Sequence, residues 1–137
     1  MYCQTFESLH TDCVFSPQGY FHRNLGRTVH TLHFGRGRYI ILHPQPGKKA
    51  RIETFIVGHD IEKGEVLQWI VEGGKFKASF LLPDAGEANT SDGLLISETV
   101  VPGFEFTDHD FMTPQILTDW VSKEQADELS WLVKQDR

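Results

Sequence analysis

Seven histidines are the side chains of this 137-residue chain best suited to proton transfer, because an imidazole titrates near neutral pH. Two of them, His30 and His33, fall within one run of β-branched and apolar residues at 28–34. Side chains alternate between the two faces of a strand, so only one of this pair can face a core. The inward histidine is either a hydrogen-bonded core residue or a general base. Structural or solvated positions are favoured for three others: His10, His43 and His59.

The composition narrows the classes of partner. Nineteen acidic and thirteen basic residues give a formal charge of -6, and the basic residues are scattered, which argues against nucleic-acid binding. Cys3 and Cys13 are too few for a disulfide framework and lack metal-ligand spacing, so two reduced thiols are expected. The chain shows neither a signal-like leader nor an apolar run of membrane-spanning length. We therefore expect a soluble, cytoplasmic protein with no membrane partner.

The segments that must position these residues follow the sequence pattern of an all-β protein. Turn-forming residues recur roughly every eight to twelve positions, and the segments between them are short, β-branched and aromatic. In the last quarter of the chain the spacing of apolar residues changes from that of strands to that of helices. Two short helices are predicted there, at 114–121 and from a capping-box-like Ser122 to about 134. The length fits a single domain covering 1–137. The predicted strands are 12–15, 20–22, 28–34, 39–43, 51–57, 66–71, 76–81, 94–101 and 104–106.

Several segments carry a family resemblance. They read Phe-His-Arg-Asn at 21–24, Val-His-Thr-Leu at 29–32, Gly-Arg-Gly-Arg-Tyr at 35–39, two strand-like runs about a Gly-Gly corner at 64–82, and Leu-Ile-Ser-Glu-Thr-Val-Val-Pro-Gly-Phe-Glu-Phe-Thr-Asp-His at 95–109. Through them the stretch from 19 to 133 resembles the cupin-5 type of small cupin, especially its uncharacterised fungal and yeast members. The resemblance implies an all-β jelly-roll barrel of antiparallel strands, whose mouth holds a small ligand.

The same resemblance bears on assembly. Members of this family usually dimerise, and they usually carry a further N-terminal segment that supplies a helix and outer strands. Residues 1–16 of this chain can supply roughly one strand. The barrel is then either open at one edge or covered there by a partner chain. Because an unpaired strand edge invites pairing with another chain, we expect a homodimer built by sheet-to-sheet contact.

Metal binding is disfavoured by the same comparison. The first metal-binding signature of cupins is similar to His-x-His-x3-Glu-x6-Gly, and its positions fall here on His22, Asn24, Thr28 and Gly35. The histidine of the second signature falls on Lys77, so only one of the ligands survives. A tightly held transition metal needs three or four converging donors. We therefore expect no metal and no other cofactor.

Barrels of this kind also support metal-independent chemistry, since sugar-nucleotide 3,5-epimerases of similar fold abstract protons with histidine and tyrosine. By this resemblance His22 or His30 acts as the base, and Tyr39 returns a proton. Lys77 either anchors an enolate, carboxylate or phosphate, or covers the apolar wall with its stem and reaches water. Further ligand-binding positions are Asn24, Gln68, Trp69 and Phe80.

Two functions follow from this reading. The first is a metal-independent isomerase, epimerase or lyase that uses acid-base residues on a small polar molecule. The second is a non-catalytic protein that binds a nucleotide-like or sugar-like ligand. Two titratable groups converging on one carbon would favour the enzyme, whereas an aromatic sleeve with a single anchor would favour binding. The candidate sleeve is Trp69, Phe76, Phe80, Phe104 and Phe106.

Overall fold

The computed structural model describes the backbone of residues 2–7 and all of residues 18–84 and 90–135. Within these ranges the chain forms nine strands and two α-helices. The strands are β1 (Tyr2–Glu7), β2 (Gln18–Asn24), β3 (Arg27–Gly35), β4 (Gly37–Gln45), β5 (Lys48–Val57), β6 (Gln68–Val71), β7 (Phe76–Leu81), β8 (Gly93–Val101) and β9 (His109–Phe111). The helices are α1 (Pro114–Trp120) and α2 (Lys123–Leu129), and single 3-10 turns lie at Ile61–Lys63, Phe106–Asp108 and Ser130–Leu132.

The strands pair in two antiparallel sheets. One sheet has the order β1-β8-β3-β6 and the other the order β5-β4-β7-β2-β9. Because β2, β3 and β4 alternate between the sheets, the chain repeatedly crosses from one sheet to the other. This arrangement, with two short helices at the C-terminal end, confirms the predicted all-β jelly-roll architecture.

The corner between β3 and β4 depends on Gly35. Its φ of 90° lies in the left-handed region that favours glycine. A Cβ at this position would also lie 1.9 Å from the carbonyl oxygen of Gly93, at the start of β8. No other residue fits this corner without moving β3 and β8 apart.

The space between the two sheets holds one of two hydrophobic cores. Along the strands that supply it, its members are alternate residues, as the alternation of side chains requires. Its buried members come from both sheets: Leu32, Tyr39, Ile41, Val57, Trp69, Val71, Leu94 and Ile96.

A second core lies on the outer face of the five-stranded sheet, beneath the helices. The sheet contributes residues such as Phe21, Leu42 and Phe76, and the helical region contributes residues such as Leu117 and Leu132. Thr113 caps α1, and Ser122 and Gln125 form the predicted capping box of α2. The apolar side of the helices therefore packs on a sheet.

Several predicted boundaries need correction. The strand expected at 104–106 is wrong, because the chain makes a 3-10 turn at Phe106–Asp108 and pairs as a strand only from His109. The second helix ends at Leu129, where a 3-10 turn replaces the expected continuation. Both the strand expected at 12–15 and Cys13 lie outside the described residues. No helix in the described ranges is both long and apolar enough to cross a membrane.

Candidate functional site

A cluster of charged and polar side chains interrupts the apolar core between the sheets. On β3, Thr28 and His30 alternate inward, and the pairing of β3 with β8 sets His30 opposite Glu98. Lys77 comes from β7 in the facing sheet and is only 1% exposed. Such buried charges are expected only where partners satisfy them.

The ammonium of Lys77 is surrounded by three potential acceptors. It donates to Thr28 Oγ1 at 2.9 Å and to Glu98 Oε2 at 3.3 Å. The Nε2 atom of His30 lies 3.0 Å from Nζ. An ammonium has three N–H donors, so these contacts use its full hydrogen-bonding capacity only in the tautomer in which His30 Nε2 carries no proton.

His30 is enclosed on every side. Its Nε2 lies 3.1 Å from Glu98 Oε1 and 3.1 Å from the hydroxyl of Tyr39. The indole of Trp69 stacks on the imidazole, with centroids 5.1 Å apart and planes 3° from parallel. The ring either donates from Nε2 to the carboxylate or accepts there from Lys77 or Tyr39, so its tautomer is coupled to the protons of its neighbours.

Burial and charge set the pKa values of this cluster in opposite directions. Burial alone would raise the pKa of Glu98, but the hydrogen bond from His30 and the positive charge of Lys77 outweigh it and lower the pKa to about 2. Burial lowers the pKa of Lys77 and of His30, with Glu98 partly opposing it in both cases. Burial raises the pKa of Tyr39 well above its ordinary value, so its hydroxyl stays protonated at neutral pH.

His22 lies beside this cluster and differs from His30 in its hydrogen bonds. Its strand position pairs with that of Lys77, and its Nδ1 donates to the carbonyl oxygen of Tyr20 at 2.8 Å. Burial, followed by the charge of Lys77, lowers the pKa of His22 to about 4. At neutral pH the ring is therefore uncharged, with its proton on Nδ1 and a lone pair on Nε2.

Two further polar groups lie along the same wall. Asn24 faces inward one strand repeat after His22, and its Oδ1 is buried without a hydrogen-bond partner among the described residues. The half-buried ring of His109 stacks on His22 with centroids 5.3 Å apart. Burial, followed by the charge of Lys77, also lowers the pKa of His109. An unsatisfied buried oxygen beside a free imidazole nitrogen marks a place where a polar ligand can bind.

The structure brings together most of the residues singled out from the sequence. His22, His30, Tyr39 and Lys77 lie on the inner faces of the two sheets. The other inward positions among the predicted ligand-binding residues are Asn24 and Trp69.

The inward placement of Gln68 and Phe80 is wrong. Gln68 is exposed and donates to Thr31 Oγ1 on the outer face of the four-stranded sheet. Phe80 packs against Trp131 on the outer face of the other sheet, with centroids 5.1 Å apart. Both errors are errors of strand parity, because adjacent residues point to opposite faces.

Most of the candidate aromatic sleeve also lies outside the barrel. Phe76 belongs to the core beneath the helices. Phe104 and Phe106 are exposed, with Phe106 at 85%. Of the five predicted residues only Trp69 lines the interior, where its ring contacts Tyr39 and Phe55.

Glu98 is the site residue that the sequence reasoning missed. It falls on the same face of β8 as Leu94 and Ile96, in a strand whose inward positions are otherwise apolar. A charged residue at an apolar position of a period-two pattern is the signal that identifies it. His109 was also missed as a ligand-facing residue, because its strand was predicted five residues too early.

The donor atoms present do not fit a metal ion. In the described parts of the chain, no three His, Cys, Asp or Glu residues are arranged to hold one. His30 and Glu98 do converge, but the ammonium of Lys77 contacts both of them, at 3.0 Å from His30 Nε2 and 3.3 Å from Glu98 Oε2. A metal would need ligands at about 2.0–2.2 Å and no cation in its place.

Comparison with known proteins agrees with this architecture. The chain is 47% identical over 118 residues to the uncharacterized protein YML079W of Saccharomyces cerevisiae, covering 85% of this chain and 55% of that protein. The chain thus spans about half the length of that relative. Among solved structures, a hypothetical protein from Leishmania major has a TM-score of 0.69 at 21% identity, covering 85% of this chain and 69% of that one. Protein SO0799 from Shewanella oneidensis has a TM-score of 0.66 at 17% identity, covering 98% and 87%.

These two structures support the fold alone, because their sequence identities are low. The family is shown by the sequence. The profile of Cupin_5, described as Cupin superfamily (DUF985), matches residues 11–112. As its sequence predicted, and with the two-sheet barrel that the fold requires, this chain belongs to the Cupin_5 family of the cupin superfamily.

Proposed function

We propose that the barrel interior is a metal-independent acid-base site that acts on a small anionic molecule, as an isomerase, epimerase or lyase. The observation that carries this proposal is the state of His22. Its Nδ1 is held by a backbone carbonyl, and its low pKa leaves Nε2 unprotonated at neutral pH. An oriented, unprotonated imidazole is the group that a general base requires.

A bound anion would improve this base. With a pKa of about 4, His22 is weaker than a base matched to neutral pH. A negative charge placed near the ring favours its protonated form and raises its pKa toward neutrality. Substrate binding would therefore strengthen the base at the moment it is needed.

The preference for an anion comes from the Lys77–Glu98 pair. The charge of Lys77 lowers the pKa of both His22 and His109, and its effect outweighs the opposite effect of Glu98 at each ring. The pair therefore contributes a positive potential at both rings, which the charge of Asp110 opposes at His109. A carboxylate, or the enolate formed when a proton leaves carbon, would be stabilised there.

The proton is best returned by the His22 imidazolium that has just taken it, and not by Tyr39 or by His109, because burial leaves His109 uncharged at neutral pH. The Tyr39 hydroxyl is buried and contacts His30, and its raised pKa makes it a neutral partner within the cluster. His109 is half buried and stacks on His22 at 5.3 Å. In this scheme Tyr39 and His30 are positioning residues that hold Glu98 and Lys77 in place.

The second candidate, a non-catalytic binding protein, is favoured by one observation. The polar contacts of the Lys77 ammonium all lie inside the protein, and His30 is 0% exposed. A ligand in the described site would then meet chiefly His22, His109 and the free oxygen of Asn24. Such a site could hold a sugar-like or nucleotide-like molecule without transforming it.

Deuterium exchange separates the two functions. Wild-type protein is incubated in D2O with pyruvate, 2-oxoglutarate and dihydroxyacetone phosphate, and loss of the carbon-bound proton signal is followed by NMR. His22→Gln should slow exchange by about a hundred- to ten-thousand-fold. His33→Gln, which alters an exposed histidine bonded to Ser97, is the matched control and should exchange at the wild-type rate.

The outcomes point to different conclusions. Exchange that depends on His22 supports the enzyme. A ligand that raises the melting temperature without any exchange supports the binding protein. Exchange that is unchanged in His22→Gln would remove His22 from the mechanism.

A further inference from the structure

The environment of the Lys77 ammonium resembles that of a bound cation. Its three neighbours are an alcohol, an imidazole and a carboxylate: Thr28 Oγ1 at 2.9 Å, His30 Nε2 at 3.0 Å and Glu98 Oε2 at 3.3 Å. Lys77 belongs to one sheet, and all three neighbours belong to the other. Lys77 thus reaches across the barrel to three side chains whose oxygen and nitrogen atoms converge on one point.

We infer that Lys77 is the built-in cation of this barrel: its ammonium occupies the point on which Thr28, His30 and Glu98 converge, and it thereby keeps divalent metals out. This holds whether the barrel is catalytic or only binds a ligand. The chain would then supply through a side chain the positive charge that a metal ion would supply at the same point.

Distance and charge both support this assignment. The oxygen atoms of Thr28 and Glu98 lie 2.9 and 3.3 Å from the ammonium nitrogen of Lys77. Zinc requires its ligand atoms at roughly 2.0–2.2 Å. One ammonium and one carboxylate also leave the pair neutral, which suits a buried site. A divalent ion beside the ammonium would leave excess positive charge in the core.

The hydrogen bonds around Lys77 also explain why it does not reach solvent. A lysine on an apolar wall normally extends its stem and places the charge in water. Here the side chain is 1% exposed, and the ammonium lies within 3.3 Å of polar atoms of Thr28, His30 and Glu98. The polar side chains of the interior therefore stabilise the ammonium where it is buried.

If this is correct, replacing the ammonium with a metal-ligating group should convert the position into a metal site. Lys77→His would add an imidazole opposite His30 and Glu98, on a strand position paired with His22. Lys77→Ala would instead leave a cavity with an uncompensated carboxylate. Lys49→His is the matched control, since Lys49 is exposed and bonds only backbone carbonyls of Thr118 and Asp119.

The experiment loads the purified full chain with Co2+, removes free metal by gel filtration, and measures metal content and the visible cobalt spectrum. Wild type and Lys49→His should retain less than about a tenth of an ion per chain, and Lys77→His about one, with a tetrahedral spectrum. Its melting temperature should rise with Co2+ and fall back with EDTA. Adding Glu98→Gln should abolish the gain.

A second measurement covers the case in which Lys77→His does not fold. The melting temperature of Lys77→Ala should rise with millimolar methylammonium, a small cation that fits the vacated position, and should not rise with tetramethylammonium. Near-stoichiometric cobalt in the wild type would overturn the inference. So would a Lys77→Ala protein that is equally indifferent to both amines, or a folded Lys77→His protein that binds no metal.

Discussion

The two faces of the five-stranded sheet are both buried, yet they carry different chemistry. On β7, Phe76 and Ala78 face the helices, while Lys77 and Ser79 face the opposite sheet. All four residues are at most 4% exposed. Burial alone therefore does not distinguish the faces, and the difference lies in what covers them.

The outer face meets helices whose inward side is apolar, so its stability rests on packing. The inner face meets Thr28, His30 and Glu98, so its charged residue needs hydrogen bonds to remain buried. Packing tolerates changes of residue if volume is kept, whereas a buried charge tolerates the loss of a partner poorly. The inner face is thus the one where sequence changes should alter chemistry as well as stability.

The largest effect on stability is expected on the outer face. Phe76→Ala removes a fully buried ring that packs edge-to-face on Trp120 at 5.0 Å, and should lower the free energy of unfolding by about 4 kcal/mol. Denaturant unfolding measures this. Phe106→Ala, at an 85% exposed ring, is the control and should cost at most about 0.5 kcal/mol. Equal losses would show that the outer core is not where the stability lies.

A slightly smaller effect is expected from separating the charged pair on the inner face. Glu98→Gln leaves the Lys77 ammonium buried without a counter-charge and should destabilise the fold by about 3 kcal/mol. Adding Lys77→Met should recover part of this loss, because the unpaired charge is removed. The double-mutant cycle is read from denaturant unfolding, and additive losses would mean that the pair is not coupled.

The inner face should also make stability depend on pH. His22 has an ordinary pKa of 6.5 and a folded pKa of about 4, so between these values the unfolded chain binds a proton that the folded chain does not. Stability should therefore fall by up to about 3 kcal/mol as the pH drops through this range. His22→Gln should flatten this part of the profile, leaving the share due to other histidines, whereas His33→Gln should not change it.

The Glu98 pKa extends the acid sensitivity to lower pH. Its ordinary value is 4.5 and its folded value about 2, so its stabilising contribution is complete above 4.5 and is lost as the pH falls through about 2. Urea unfolding at successive pH values should show the His22 and Glu98 windows separately. A wild-type profile that is flat from pH 6.5 to 4 would contradict the assignment of a neutral, buried His22.

The smallest effect on chain stability concerns the outer face of the four-stranded sheet. Ile70 is 53% exposed there, and we predict that a second copy of the chain covers this face. Light scattering should give about twice the chain mass of 15.7 kDa. Ile70→Asp should lower the mass toward one chain while stability changes by at most about 0.5 kcal/mol, and the neighbouring Gln68→Ala should do neither. A wild-type mass near that of one chain would reject the dimer.

The sequence was a good guide to the strands because turn residues separate them clearly. It was a poorer guide to which way residues point in short strands. Trp69, Ile70 and Val71 are all apolar, so β6 shows no alternation from which its phase could be read. In β7 the conflict was visible in advance, because Lys77 and Phe80 differ by an odd number of positions and cannot share a face.

Contacts between distant strands explain the remaining gaps. Glu98 sits between Ser97 and Thr99 in a stretch that looks solvent-facing, and only the pairing of β8 with β3 places it opposite His30. The family resemblance pointed to Lys77 but not to its partners. The hydrogen bonds that make the site depend on residues 21 to 49 positions apart in the chain.

The corner at Gly35 has a consequence for how this protein tolerates sequence change. The residue touches none of the polar cluster, yet the close approach of its backbone to Gly93 fixes how β3 lies along β8. Any side chain there would shift the register of β3 against β8 and move His30 away from Glu98. A saturation screen scored on ligand binding should therefore recover Gly35 among its most intolerant positions, beside residues that contact the ligand.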